Sequence, residues 1–265
     1  MRHYKFIFLF LMFLGSMLLA RPFSIEDRHI SILYTCDLNG NFEFDHEGRK
    51  GLSLISELKR QEIETIFDNK GGVLLLSKGG FFEKGLNNAS FSLMKTALFD
   101  GIVLSEEEMN YLENNPNLLK LNLPILSPRE NILDINSEKI FQLNGINIKM
   151  HNYFIPKRPH GEKETIHLNL VFPDDHNEIS KEEIPEEIPV VFFTSEEKSS
   201  AYSYWSNVST ASCPSDNSKI GKIKLVFRKE KLIRFHQEFL PLNTIDSNRS
   251  WIYPHREVLK ELQRN

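Results

Sequence analysis

The stretch TCDLNGNFEF, Thr35 to Phe44, follows the apolar run ISILY. It reads as a strand ending in a polar loop, with Asp37, Asn39 and Asn41 set around Gly40. Carboxylate and amide oxygens gathered at a strand end are the donors that hold a hard cation. The first question is therefore whether Asp37 holds a metal. A second acidic group is SEEEMNYLENN, where Ser105 precedes Glu106, Glu107 and Glu108. A Ser followed by carboxylates suits a helix start, because the hydroxyl caps free N–H groups and the charges meet the positive dipole end. The bland reading of both this run and SEEK, with Ser195 and Glu197, is a helix-start charge run facing solvent.

Other chemistries find less support. His151, His160, His167 and His236 share no spacing with carboxylates. Ser195 has neither a nearby His nor a glycine-rich elbow, which argues against a serine hydrolase. SKGGFFEKG, Ser77 to Gly85, brings glycines and two Lys together, but it is neither a P-loop nor a dinucleotide fingerprint. The two Cys, Cys36 and Cys213, lack the clustered His of a zinc site. They form either a disulfide or two buried free thiols.

These residues must be positioned by a core, and the composition supplies one. The chain has 265 residues, 40% apolar and 26% charged, which is the balance of a soluble globular protein. A formal net charge of −4 argues against a nucleic-acid or anionic-membrane surface. Arg2, His3 and Lys5 make a basic start, followed by the uncharged apolar run Phe6 to Ala20. That run is shorter than the roughly 20 residues that span a bilayer. With Gly15, Ser16 and Ala20 near its end and Pro22 beyond, residues 1–20 read as a signal peptide cleaved after Ala20. The alternative is an uncleaved anchor. No Cys lies near the cleavage point for lipid attachment, and the mature chain is expected to have no transmembrane span.

Strand and helix alternate in the first half: strand Ile30–Thr35, helix Gly51–Asp68, strand Val73–Leu76, helix Asn88–Phe99, strand Ile102–Leu104, helix from Ser105, strand Leu123–Ser127. Such alternation predicts parallel strands with helices packed on them. The second half predicts a hairpin through Asn144-Gly145, strands at Ile166–Phe172 and Ile188–Thr194, and a second hairpin through Lys229-Glu230. Glu257–Gln263 closes as a helix. The acidic, Pro-punctuated PDDHNEISKEEIPEEIP reads as a solvated loop.

In this order the segments resemble the metallophosphoesterase domain of secreted 5′-nucleotidases, the calcineurin-like phosphoesterases. ISILYTCDLNGNFE is similar to that family's first strand and D-x-H-G loop. GRKGLSLISELKRQ resembles its first helix, GGVLLLSKGGFFEKG its G-D-x-x-x-G loop, and LFDGIVLSEEEMNY the segment ending in G-N-H-E-F-D. LNLPILSPREN, KIFQLNGINIKMHNYF and IGKIKLVF fit later strands. The resemblance covers most of residues 30–242 and implies an α/β four-layer sandwich, two mixed sheets flanked by helices. It implies a single domain over residues 21–265, without the nucleotide-binding C-terminal domain.

The family's chemistry needs two metal ions about 3.5–4 Å apart, sharing bridging ligands and activating a water. By the same resemblance this chain keeps Asp37 but has Asn39 for the next ligand His. Gly80 stands at the bridging Asp. Glu106 and Glu107 replace the ligand Asn and the His that stabilises the transition state. A later ligand His is missing near LVFPDD, where Asp174, Asp175 and His176 are out of register. Ser195 and Glu197 replace the two His of G-H-x-H. The expectation is an exported pseudoenzyme, periplasmic or secreted, with no catalytic residue and no cofactor, acting as a binding or scaffold module. Its partner would be a protein of the envelope or extracellular space, not a nucleic acid. Tyr202, Tyr204 and Trp205 in YSYWSN are interface candidates, since clustered aromatics favour interfaces. The alternative is an active phosphoesterase with Mg, Ca or Mn held by Asp37, Glu106, Glu107 and Glu197.

Overall fold

A computed structural model describes residues 27–36, 38, 51–67, 71–80, 93, 95–127, 133, 135–151, 165–172, 188–194, 208–214, 218–242 and 255–262. The first sheet is built on β1 (Asp27–Cys36), flanked by β2 (Gly72–Lys78), β3 (Gly101–Val103) and β4 (Ile125–Leu126) on one side. These four run parallel. On the other side lie β10 (Lys219–Arg228) and β11 (Lys231–Pro241), antiparallel in register from Asp27↔Arg228 to Tyr34↔Gly221 and onward. The second sheet runs β5 (Glu138–Leu143), β6 (Ile146–His151), β7 (Leu168–Val171), β8 (Val190–Thr194) and β9 (Val208–Ser212). Its pairs are parallel from β6 to β9.

Two apolar layers hold these elements. The helices are α1 (Leu52–Phe67), α2 (Glu106–Asn114) and α3 (Arg256–Leu262). They pack on one face of the first sheet, with Leu52, Leu54, Ile55, Met109, Leu112 and Val258 against Leu33, Leu75 and Ile102. The opposite face meets the second sheet: Ile30, Ile32, Tyr34 and Leu225 pack against Ile148, Leu170, Val191 and Phe193. Every β1 residue from Ile30 to Cys36 is buried, as a central strand covered on both faces must be. The outward-facing Asn169, Val171 and Phe192 of the second sheet are buried as well.

Both hairpins turn through two residues of positive φ, Asn144 (48°) with Gly145 (79°), and Lys229 (46°) with Glu230 (68°). The mirror-image turn matches the twist of its strands, and Asn-Gly adopts it with least strain. α2 carries the expected cap: the Glu108 N–H donates to Ser105 Oγ at 3.2 Å and the Ser105 N–H to Glu108 Oε2 at 2.8 Å. Glu108 is therefore buried in a capping box, not solvated like a free charge run.

The other departures are local. The expected strand over Leu123–Ser127 contracts to Ile125–Leu126, with Pro124 contributing only its carbonyl to the Ile102 N–H. Pro116–Leu121 forms a 3₁₀ helix, and Val208–Ser212 forms β9, neither of which the sequence pattern predicts. Of the helix expected at Asn88–Phe99, Leu93, Lys95 and Thr96 are helical and the rest up to Ser92 is outside the described residues. Among the described residues no helix is long and apolar enough to cross a membrane.

Candidate functional site

Parallel pairing sends the C-terminal ends of β1 to β4 to one edge of the first sheet. Cys36 lies opposite Lys78, Ser77 opposite Ile102, and Val103 opposite Leu126. In the second sheet β6 to β9 likewise end together, at His151, Val171, Thr194 and Ser212. A disulfide between Cys36 and Cys213 joins the two edges, with the Cα atoms 5.9 Å apart. It is held in place by the Cys213 N–H, which donates to the Thr194 carbonyl at 2.8 Å. The free-thiol alternative is thus replaced by a covalent tie between the sheets.

Of the residues singled out in the sequence, Gly80, Glu106 and Glu107 are described, at or just beyond the strand ends of this edge. Gly80 follows β2 with φ 61°, in the left-handed region. Its neighbour Gly79 packs on the start of α2, where a Cβ would come 3.2 Å from the Ser105 nitrogen. Glu106 is half-buried and Glu107 exposed in the first turn of α2. Asp37, Asn39, Ser195, Glu197, Tyr202, Tyr204 and Trp205 lie outside the described residues, as do Asp174, Asp175 and His176. The strands that lead to Asp37 and Ser195 both end on this edge.

The described part of the edge does not fit a two-metal centre. Gly80, which the sequence resemblance sets at the bridging ligand, has no side-chain donor. Glu108 is committed to its cap. Among the described residues no three His, Cys, Asp or Glu side chains converge to hold an ion.

Sequence reasoning missed a polar corner beside the disulfide. The Tyr34 hydroxyl donates to the Ser212 carbonyl at 2.7 Å. Gln237 Nε2 donates to both the Tyr34 hydroxyl at 2.6 Å and the Ser212 carbonyl at 2.9 Å. The Ser212 N–H returns a bond to Gln237 Oε1 at 3.3 Å. A side-chain amide from the first sheet thus completes the backbone pairing of β9 in the second. Burial pushes the Tyr34 hydroxyl above its ordinary range, partly offset by the bond from Gln237. No sequence signal marks Gln237, because its role follows from the register of β10 with β11.

A concavity of about 520 Å³ opens between β4 and β5, lined by Leu119, Leu123, Ile125, Leu133, Ile135 and Lys139 among others. Lys139 is already engaged: its ammonium donates to the Asp100 carbonyl at 2.7 Å, and burial lowers its pKa.

No family model matches the sequence, and no curated protein matches it. Solved structures do. The chain is similar to a 5′-nucleotidase from Candida albicans at 12% identity and a TM-score of 0.59, over 89% of this chain and 57% of that one. It is similar to the sulfate thiohydrolase SoxB of Thermus thermophilus at 11% identity and a TM-score of 0.62, over 89% and 60%. The calcineurin-like phosphoesterase YfkN of Bacillus subtilis matches at 14% identity and a TM-score of 0.59, over 90% of this chain and 96% of that one. The chain thus spans less than two thirds of the length of the first two proteins. Identity this low carries architecture and not activity. Two mixed sheets flanked by helices, in this order and over nine tenths of the chain, are the fold of the calcineurin-like phosphoesterases and 5′-nucleotidases.

Proposed function

We propose that this is an exported protein that uses the phosphoesterase fold for binding and not for hydrolysis. The observation that carries the reading is Gly80. The family that the chain resembles bridges its two ions with a carboxylate in the loop after the strand that corresponds to β2, and the same resemblance sets Gly80, which has no side chain, at that place. Export is supported by the N-terminal apolar segment and by the Cys36–Cys213 disulfide, which persists in oxidising compartments. The binding role is assigned to the loops beyond the strand ends, with Tyr202, Tyr204 and Trp205 as anchors for a protein partner in the envelope or extracellular space.

A second reading rests on Glu106 and Glu107, whose helix starts on the same edge as the strand leading to Asp37. With Glu197 they would form an all-oxygen site for Mg²⁺, Ca²⁺ or Mn²⁺. One experiment separates the two. Residues 21–265 are purified from an oxidising compartment without chelator, analysed for metal, and assayed on a generic phosphate ester with Mn²⁺, Mg²⁺, Ca²⁺ or Zn²⁺. The binding reading expects no stoichiometric metal and no turnover. Bound metal with turnover that collapses in Asp37→Ala establishes the carboxylate enzyme instead.

A further inference from the structure

The formal net charge of −4 hides a local surplus of the other sign. The start of β1 lies beside the turn between β10 and β11, with Asp27 opposite Arg228. The ends of these three strands carry five cations, Arg28, Arg228, Lys229, Lys231 and Arg234, against two carboxylates, Asp27 and Glu230. Asp27 accepts two hydrogen bonds from Arg228, at 2.8 and 3.0 Å. Its carboxyl is held below the ordinary range by that bonding first, and further by the charges of Arg228, His29 and Arg234. Glu230 turns toward His167 of the second sheet, 3.4 Å from Nε2. Lys229, Lys231 and Arg234 are all exposed, and among the described residues no carboxylate lies within ion-pair distance of any of them.

An apolar side chain stands among these charges. The register shifts where Arg234 pairs with Val226 and Leu232 with Phe227, so Ile233 is the unpaired residue of a bulge. It is 47% exposed, between Lys231 and Arg234 in sequence. A bulge re-aims a side chain at a sheet edge. Membrane-surface binding grows with the apolar area buried at the interface and with attraction to anionic lipid, and this turn offers both. The order of the chain agrees. β1 starts seven residues after Ala20, where the N-terminal apolar run ends. Seven residues reach at most about 25 Å, so that run joins the molecule at this same end. Residues 21–26 add Arg21 and Glu26, one charge of each sign. We propose that the β10–β11 turn, with the start of β1, docks on an anionic lipid bilayer. Lys229, Lys231 and Arg234 meet the headgroups and Ile233 enters the interface. The strand-end edge lies at the other end of β1, so a molecule docked in this way presents that edge to solvent. The surface does not depend on whether that edge holds an ion.

The test is co-sedimentation of residues 21–265, disulfide intact, with vesicles of phosphatidylcholine with or without phosphatidylglycerol. Melting curves show that each variant is folded. Wild-type protein should bind the anionic vesicles, leave them as salt rises, and ignore the neutral ones. Lys229→Glu together with Lys231→Glu should weaken binding by about tenfold or more. Ile233→Ser should weaken it by about fivefold with the salt dependence unchanged, because only apolar contact is lost. Lys95→Glu together with Lys120→Glu makes the same change in net charge at exposed residues that precede β3 and β4, on the other flank of the sheet. That pair should leave binding within about twofold, since the Debye length is short. Wild-type protein that ignores anionic vesicles in low salt overturns the proposal. So does an equal loss in the two double variants, which would make the attraction one of overall charge. So does retention on heparin without vesicle binding, which would make the partner a soluble polyanion.

Discussion

Gly221 shows how tightly single residues specify this molecule. It sits on β10 directly beneath the Tyr34 ring, and a Cβ there would fall 2.0 Å from the ring. Tyr34 is fully buried and meets Phe193 edge-on, with ring centroids 4.8 Å apart, so it has nowhere to retreat. Gly221→Ala is expected to destabilise by about 3 kcal/mol through overpacking, measured by urea denaturation. A cost below about 0.5 kcal/mol would mean that the ring lies elsewhere. The hydroxyl of Tyr34 supports a pH prediction. Its folded pKa is raised by burial above the unfolded value of about 10. The folded state therefore keeps a proton that the unfolded chain loses. That contribution is fully present below about pH 10 and is lost as pH rises beyond it, so stability falls on the alkaline side. In Tyr34→Phe this part of the slope should vanish; an unchanged slope would assign it to other tyrosines.

At the scale of elements, the sandwich is closed at one corner by two unlike devices. The Gln237 amide completes β9 by hydrogen bonds, and the Cys36–Cys213 disulfide ties β1 to the residue after β9. The cysteines are 177 residues apart in sequence, so the bond removes a large loop from the unfolded ensemble. Replacing both by Ala should cost about 3–4 kcal/mol, or roughly 10 °C in Tm for a chain of this size. The same drop should follow addition of reductant to the wild-type protein. A melting point indifferent to both would place the stability in the two apolar layers alone. α2 is fixed differently, by the reciprocal Ser105–Glu108 bonds that consume one of the three acidic residues in its first turn.

At the scale of the whole molecule, one apolar layer binds the helices to the first sheet and another binds the two sheets together. Both run through β1, whose burial on both faces makes it the common wall. Neither layer needs an ion to close, since Leu, Ile, Val and Phe side chains fill them. Chelator added to the purified protein should leave its Tm within about 1 °C, whereas a bound ion of any useful affinity would raise Tm in proportion to its occupancy. A clear fall in Tm with chelator, reversed by one of the four cations, would turn attention back to Asp37 and the acidic loops.

Much of this architecture could be read directly from the chain. The 3.6-residue period of Leu52, Ile55 and Leu58 and the continuous apolar run of β1 are local patterns with local causes. Asn144-Gly145 announced a turn because both residues tolerate positive φ, and Ser105 a cap because its hydroxyl accepts from the nearby Glu108 N–H. Gly80 was legible for a simpler reason, since a missing side chain is missing in any fold. The rest depended on long-range pairing. Val208–Ser212, small and polar, is a strand because β8 pairs with it and Gln237 completes it. Cys36 and Cys213 could have stayed apart until the ends of β1 and β9 were brought to one edge. Composition and spacing act over a few residues, so they decided the elements. Register and sheet order act across the whole chain, so only the tertiary structure decided which residues meet.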